Sequence, residues 1–199
     1  MIKVGVLALQ GDVEEHVKAT KIAIERLNVK GEVLEVKKID DLLNVQALVI
    51  PGGESTTIGK LLVRRNMLET LRDRIKLGMP VLATCAGLIL LAKNIKDRVV
   101  GVTGQPSIGV LDVEVIRNAF GRQRESFEID LEVKGIGIIR AVFIRAPAIT
   151  KVGDSVEVLA RLNRYIVAVR EGNILALAFH PEVTNDTRVH EFFIKEFVL

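Results

Sequence analysis

The fold class predicted by this sequence is an open α/β sheet, mainly parallel and flanked by helices in its first half, with added antiparallel strands in its C-terminal half. Three observations lead there. Short apolar runs alternate with stretches of helical spacing from Lys3 to Leu91, the pattern of βαβ units. Several of those runs are apolar at every position, as strands covered on both faces must be. After Asn94 the texture changes to closely spaced strand-like segments separated by turns rich in Gly, Asn and Asp.

Taken in order, Lys3–Leu9 reads as the first strand, with Gln10-Gly11-Asp12 as its exit turn. Asp12 suits the N-cap of a helix from Val13 to about Arg26, with Val17, Ile22 or Ala23, and Leu27 as its apolar positions. His16 stands among Glu14, Glu15 and Lys18 on that helix and reads as part of its solvated face. Gly31–Val36 is a second strand. A polar turn near Asp40 and Asp41 leads into a third, Ala47–Ile50. Helices follow from about Thr56 to Arg65 and from Met67 to Leu77, with Ser55 or Thr56 as cap of the first. Val81–Ala83 is a short buried strand, and Leu88–Leu91 belongs to an apolar helix. The later strands are Val110–Ile116, Phe127–Val133, Ile138–Ile144, Val156–Leu162, Ile166–Val169 and Ile174–Phe179. A last helix spans about Thr187–Val198, burying Val189, Phe192, Phe193 and Phe197. No repeat, linker or low-complexity stretch divides residues 1–199, so one domain is expected.

The 199 residues are 49% hydrophobic and 27% charged, which describes a soluble globular protein with a substantial core. No apolar run approaches the ~20 residues of a membrane span, and the run Val4–Leu9 is interrupted too early for a signal peptide. The single cysteine allows neither an internal disulfide nor a cysteine metal cluster. The expectation is a cytoplasmic protein with no metal and no membrane partner. The isoelectric point is about 9.1, yet 28 basic residues are mixed with 25 acidic ones, there is no Trp, and only 4% of residues are aromatic. Neither a basic stripe nor a base-stacking platform is present, so nucleic acid is not an expected partner.

Three segments carry chemistry. In Ala83-Thr84-Cys85-Ala86-Gly87 the lone cysteine lies between a strand and a helix, framed by small residues. That is the small-x-nucleophile-x-Gly elbow with Cys in place of Ser. The helix that follows favours negative charge at its N-terminus, and the free N–H of Ala86 suits an oxyanion. The competing reading is a small core hydrophobe. In Phe179-His180-Pro181-Glu182, extended backbone would turn His180 and Glu182 to the same side. A base with its orienting carboxylate then follows the nucleophile in chain order: Cys85, His180, Glu182. A strand-end histidine beside an unrelated glutamate is the alternative. Pro51-Gly52-Gly53-Glu54-Ser55 ends another strand, where open α/β sheets bind ligands. Its glycines expose N–H groups suited to an oxyanion hole. A phosphate loop would need a Lys that is not there, and a purely structural turn is the remaining option.

With these segments in hand the chain resembles class I (triad) glutamine amidotransferases, and within them the glutaminase subunits of pyridoxal 5′-phosphate synthase, the PdxT/SNO family. The resemblance runs over nearly the whole length. It is carried by Gly5–Gly11, Pro51–Thr57, Thr84–Leu88, Arg117–Gln123, Ser126–Glu128, Phe143–Pro147 and Phe179–Glu182. It implies a flavodoxin-like three-layer fold and the triad Cys85, His180 and Glu182. It further implies an oxyanion hole at Gly53 and Ala86, and L-glutamine bound by Gly53, Glu54, Ser55, Arg117, Ile144 and Arg145. Without the family, Arg117 and Arg145 would be read as surface ion pairs. No cofactor is implied. The implied partner is a synthase subunit that builds pyridoxal 5′-phosphate from ribose 5-phosphate and glyceraldehyde 3-phosphate, with Gln10 and Gly11 at the activating interface. The chain departs from the family at Ala83, where Gly is usual, and in a longer Val17–Val33 region. Another amidotransferase's glutaminase, a cysteine peptidase or DJ-1-like hydrolase, and a non-catalytic scaffold are the rival readings.

Overall fold

A computed structural model describes residues 1–97, 101–120 and 126–199. Gly121, Arg122 and Gln123 of the resembling segment lie outside those residues. Five parallel strands form one half of the main sheet: β1 (Ile2–Leu7), β2 (Gly31–Val36), β3 (Ala47–Ile50), β4 (Val81–Thr84) and β13 (Ile174–Leu177), in the order β2-β1-β3-β4-β13. The β3, β4 and β13 residues are all buried, which is why they read as unbroken apolar runs rather than alternating ones.

Beyond β13 the sheet continues through β12 (Tyr165–Glu171), β10 (Ala148–Val152), β7 (Leu111–Arg117), β5 (Ala92–Asp97) and β6 (Gly101–Val102), with β11 (Glu157–Leu162) paired to β12. Pairing here is antiparallel except between β5 and β7. A separate antiparallel ribbon joins β8 (Ser126–Val133) to β9 (Gly137–Ile144) in unbroken register. The mixed α/β class is therefore as the sequence predicts. Strands β5, β6 and β10 were not. In β5, Lys93, Asn94 and Lys96 interrupt the apolar pattern, and the strand follows directly on a helix with no turn residue between them.

The helices are α1 (Val13–Arg26), α2 (Ile39–Leu43), α3 (Ser55–Arg64), α4 (Leu68–Lys76), α5 (Ala86–Leu91) and α6 (Arg188–Phe193). Helix α1 packs on α6, and α3 on α4 and α5. Three local expectations need correction. Asp40 and Asp41 lie inside α2, where the Asp41 carboxylate accepts from the N–H groups of Lys37 and Lys38. Glu54, rather than Ser55 or Thr56, caps α3 by accepting from the Thr57 N–H at 2.8 Å. The final helix keeps its α form only to Phe193 and widens to a π turn over Ile194–Val198. Val189 and Phe193 are buried there, and Phe192 and Phe197 pack partly buried against the core.

Every residue of α5 is buried. Gly87 allows that closeness, because a Cβ there would run into the Ile50 carbonyl oxygen and lie 3.1 Å from Ala83 Cβ. Gly87→Ala should lower stability by about 1–3 kcal/mol through overpacking, despite a gain of up to ~1 kcal/mol in helix propensity. A fall in Tm relative to the wild-type chain is the expected result.

Candidate active site

Parallel register brings three strand ends together. Ile50 pairs with Ala83, and Leu177 pairs with Thr84. The segments leaving β3, β4 and β13 therefore emerge side by side, carrying Pro51–Glu54, Cys85 and His180. Cys85 holds φ +46° and ψ −100° between β4 and α5, a left-handed conformation that costs a non-glycine residue on the order of 1–3 kcal/mol. Its N–H is tied to the Leu177 carbonyl at 2.8 Å. The thiol is 7% exposed.

The thiol forms part of a cleft of about 240 Å³ lined by Asp12, Gly53, Glu54, Ser55, Cys85, Ile89, Arg117, Asn118, Ile144, Arg145 and His180. Eight residues singled out from sequence thus meet in one place: Gly53, Glu54, Ser55, Cys85, Arg117, Ile144, Arg145 and His180. Glu182 lies behind His180. Ala86 is buried at the first position of α5, where an N–H has no intrahelical acceptor. Gln10 and Gly11 are exposed and back the glycine loop. Gln10 Oε1 accepts from the Glu54 N–H at 2.8 Å.

The His-Pro-Glu segment makes the expected contact by a different route. Strand β13 stops at Leu177, and Pro181–Val183 forms a 3₁₀ turn instead of extended chain. The His180 N–H donates to the Val142 carbonyl of β9 at 2.8 Å. Proline at the start of the turn is compatible with its fixed φ. The turn brings Glu182 Oε1 to 2.7 Å from His180 Nδ1. His180 Nε2 is buried and has no hydrogen-bond partner among the described residues. The Cys85 thiol is oriented toward the Ile144 carbonyl at 4.0 Å.

Asp12 holds the N-cap position of α1 as expected, but its side chain makes no cap bond; its Oδ2 lies 3.3 Å from His180 Nδ1. Burial pulls the His180 pKa down, but Asp12, the Cys85 sulfur and Glu182 together push it up to about 12. The imidazole is therefore an imidazolium across the neutral range. Burial pushes Glu182 up, and His16 and His180 on either side more than offset this, holding it well below the usual carboxylate range. Asp12, His180 and Glu182 present ligand atoms within 4.8 Å of one another. A metal there would have to displace the proton that Nδ1 shares with the two carboxylates.

His16 is a correction. It is fully buried, not solvated. The buried positions of α1 are His16, Ala19, Thr20, Ala23 and Ile24, a stripe of mostly small residues that carries little hydrophobic signal. His16 Nε2 lies 3.0 Å from Thr84 Oγ1 and 3.3 Å from Glu182 Oε2, and its Nδ1 is 3.0 Å from His190 Nε2. Burial, reinforced by the adjoining His16 and opposed by Glu182, pushes His190 down to about 3.

The glycine loop is there because nothing larger fits. A Cβ on Gly52 would strike the His180 ring and come to 2.7 Å from Asp12 Oδ2, and one on Gly53 (φ +144°) would come to 2.7 Å from Gln10 Oε1. The ionic rim is more engaged than the sequence suggested. Arg117 donates to Glu54 Oε1 and Thr56 Oγ1 at 3.2 Å each and to Gln105 Oε1 at 2.9 Å. Gln105, which no motif marks, also accepts from Ser55 and Thr56. Burial works against ionisation of Glu54, but Thr57, Thr56 and Arg117 keep its pKa below the ordinary value. Arg145 is exposed at φ +44° and has no ion-pair partner among the described residues.

These shifts set a pH dependence. A neutral buried His190 binds fewer protons than in the unfolded chain between about 3 and 6.5, so its contribution to stability is lost as pH falls through that window. His180 acts oppositely: its contribution is full below 6.5 and is lost as pH rises toward 12. Between about pH 5.5 and 6.5, above the onset of carboxylate protonation in the unfolded chain (ordinary Glu value 4.5), the acid-side loss belongs to His190. Thermal melts should show Tm falling as pH drops across that interval, with a shallower slope in His190→Gln.

The SNO glutamine amidotransferase family model matches residues 6–199. The chain is 52% identical to the pyridoxal 5′-phosphate synthase subunit PdxT of Korarchaeum cryptofilum, with 100% of both chains covered. It is 53% identical to that of Archaeoglobus fulgidus, with 98% of each covered. Among solved structures, one described as a glutamine amidotransferase superposes with a TM-score of 0.86 at 50% identity, covering 98% of this chain and 99% of its own. PurLQS from Thermotoga maritima shares the fold alone, with a TM-score of 0.70, 16% identity and 98% of each chain covered. Fold, elbow and full-length likeness agree, and the chain belongs to the SNO glutamine amidotransferase family.

Proposed function

We propose that this chain is the glutaminase subunit of a pyridoxal 5′-phosphate synthase, hydrolysing L-glutamine to L-glutamate and ammonia. One observation carries the chemistry: a lone thiol on a left-handed elbow shares a cleft with an imidazole fixed by a buried carboxylate at 2.7 Å. Residues 1–199 are read as one amidotransferase domain, since a single sheet takes strands from both ends of the sequence. No described helix is long and apolar enough to cross a membrane, and a lone reduced cysteine suits the cytoplasm.

In this reading Glu182 holds His180 so that Nε2 faces the cleft, carrying the proton given up by Cys85. The thiolate attacks the side-chain amide carbon of glutamine. The N–H groups of Gly53 and Ala86 stabilise the resulting oxyanion. His180 protonates the departing ammonia, leaving a γ-glutamyl thioester on Cys85, and water releases glutamate. Glu54, held ionised, receives the α-ammonium, with Ser55 beside it. Arg145, with no acidic partner among the described residues, is better placed for the α-carboxylate than Arg117, which already braces Glu54. Ile144 lines the cleft beside the thiol.

The ammonia passes to a synthase subunit that assembles pyridoxal 5′-phosphate from ribose 5-phosphate and glyceraldehyde 3-phosphate. Gln10 and Gly11 form the activating contact. Both are exposed, yet they are coupled to the cleft: Gln10 binds the Glu54 N–H, Gly11 packs against Gly52, and Asp12 faces His180. A partner seated on that loop therefore acts on the glycine loop and the imidazole together. Among the described residues Nε2 has no partner at hydrogen-bond geometry, which fits a subunit at rest, since catalytic hydrogen bonds tighten in the working complex.

Glutaminase activity should be low for the isolated chain and rise when the synthase is added; a full rate in isolation contradicts the switch. In the assembled enzyme, Cys85→Ala should reduce turnover on the order of 10³-fold or more. Wild-type turnover in that variant rejects the mechanism.

A further inference from the structure

The reaction as written uses His180 and Glu182 but leaves a second buried polar cluster without a task. His16 from α1, Thr84 from the end of β4 and His190 from α6 converge on the far side of the Glu182 carboxylate, and each is at most 1% exposed. One carboxylate oxygen is taken by His180 Nδ1 at 2.7 Å. The other, Oε2, is buried without a hydrogen bond among the described residues and lies 3.3 Å from His16 Nε2, at ion-pair distance. A buried carboxylate oxygen is costly unless a donor faces it. A carboxylate accepts only, so the ring nitrogen facing it must carry a proton.

The proton count then fixes the rest of the chain. In its Nε2–H tautomer His16 presents a bare Nδ1, which accepts from His190 Nε2–H at 3.0 Å. That leaves His190 Nδ1 bare, and it is the nitrogen with no partner among the described residues. The reverse arrangement would strand a buried N–H donor, a rarer defect than an unused acceptor. Thr84 Oγ1, 3.0 Å from His16 Nε2, ties the same ring to the residue preceding Cys85.

The geometry points to His16 as a positioning residue for the proposed glutaminase. It holds the Glu182 carboxylate ionised and oriented toward His180, and His190 fixes the tautomer that lets it do so. The inference rests on the glutaminase reading. His16 does not line the cleft, so its loss should spare substrate binding. Glu182 faces His180 and His16; His16 faces Glu182 and His190; His180 faces Glu182, Asp12 and Cys85. Removing the His16 donor raises the Glu182 pKa, since a hydrogen bond to the charged form favours that form. The acid limb of the pH–rate profile then moves upward.

The test uses the full chain assembled with its synthase. His16→Leu should lose roughly ten- to a hundredfold in kcat, the scale expected when an outer group orienting a site residue is removed. Its KM should stay within about twofold, and its acid limb should rise by about one pH unit. His16→Gln, which keeps a donor at the Nε2 position, should restore most of the rate and return the limb toward wild type. A folded His16→Leu with unchanged kcat and acid limb overturns the inference, as does equal damage in the Gln and Leu variants. If His16→Leu does not fold, His190→Leu replaces it and should shift the limb the same way by less; a folded His190→Leu with an unmoved limb overturns the inference too. Glutaminase activity in the wild type, abolished in Cys85→Ala, is required alongside these variants. Its absence would reject the glutaminase reading itself, so the two failures are distinct.

Discussion

The left-handed backbone at Cys85 is the constraint to which the surrounding structure answers. A side chain at φ +46° persists only where its neighbours leave no alternative. On one side β4 is hydrogen-bonded in the middle of the sheet, between β3 and β13. On the other, α5 is buried on every residue and pressed against the Ile50 carbonyl through Gly87. The elbow can relax only by pulling a central strand or a core helix out of place. Ala83, the departure from the usual glycine, sits before this turn as a fully buried strand residue paired to Ile50 and Ala176. Its methyl is absorbed by the core.

Fixing the sulfur leaves the imidazole to be fixed, and here the fold uses charge rather than packing. His180 is 4% exposed and Glu182 6%, so burial alone would neutralise both. Each is kept charged by the other and by further groups: Asp12 and the sulfur for His180, His16 for Glu182. A buried ion pair of this kind is weak evidence of net stability. What it does secure is orientation, because a ring held at Nδ1 by two carboxylates can present only Nε2 to the cleft.

Legibility in the sequence followed distance along the chain. The elbow and the His-Pro-Glu segment were readable because each compresses its chemistry into a few neighbouring residues. Strands β3, β4 and β13 are readable because burial on both faces leaves them almost wholly apolar. His16 was not. It meets Thr84 and His190 at separations of 68 and 174 positions, and its own neighbours on α1 are charged. The second role of Asp12 is hidden for a related reason: an acid before a helix is the ordinary cap, and only the approach of the segment after β13 to the β1 exit turn shows the imidazole it faces. Gln105 lies in an irregular segment where periodicity says nothing, although it ties Arg117 to Ser55 and Thr56.

The groups that do the proposed chemistry differ in how firmly they are anchored. Cys85 and Glu182 are set by the core and by buried partners. Gly53, Glu54 and Asp12 belong to surface loops that hold one another through Gln10 and Gly11. An enzyme that releases ammonia without an acceptor wastes substrate, so activity is best controlled by whichever element can move at little cost. The nucleophile cannot move without disturbing the sheet, and the buried carboxylate cannot move without stranding charge. That leaves the loop pair, exposed on one face and touching the glycine loop and, through Asp12, the imidazole on the other, as the part of the site through which the proposed partner would exert control.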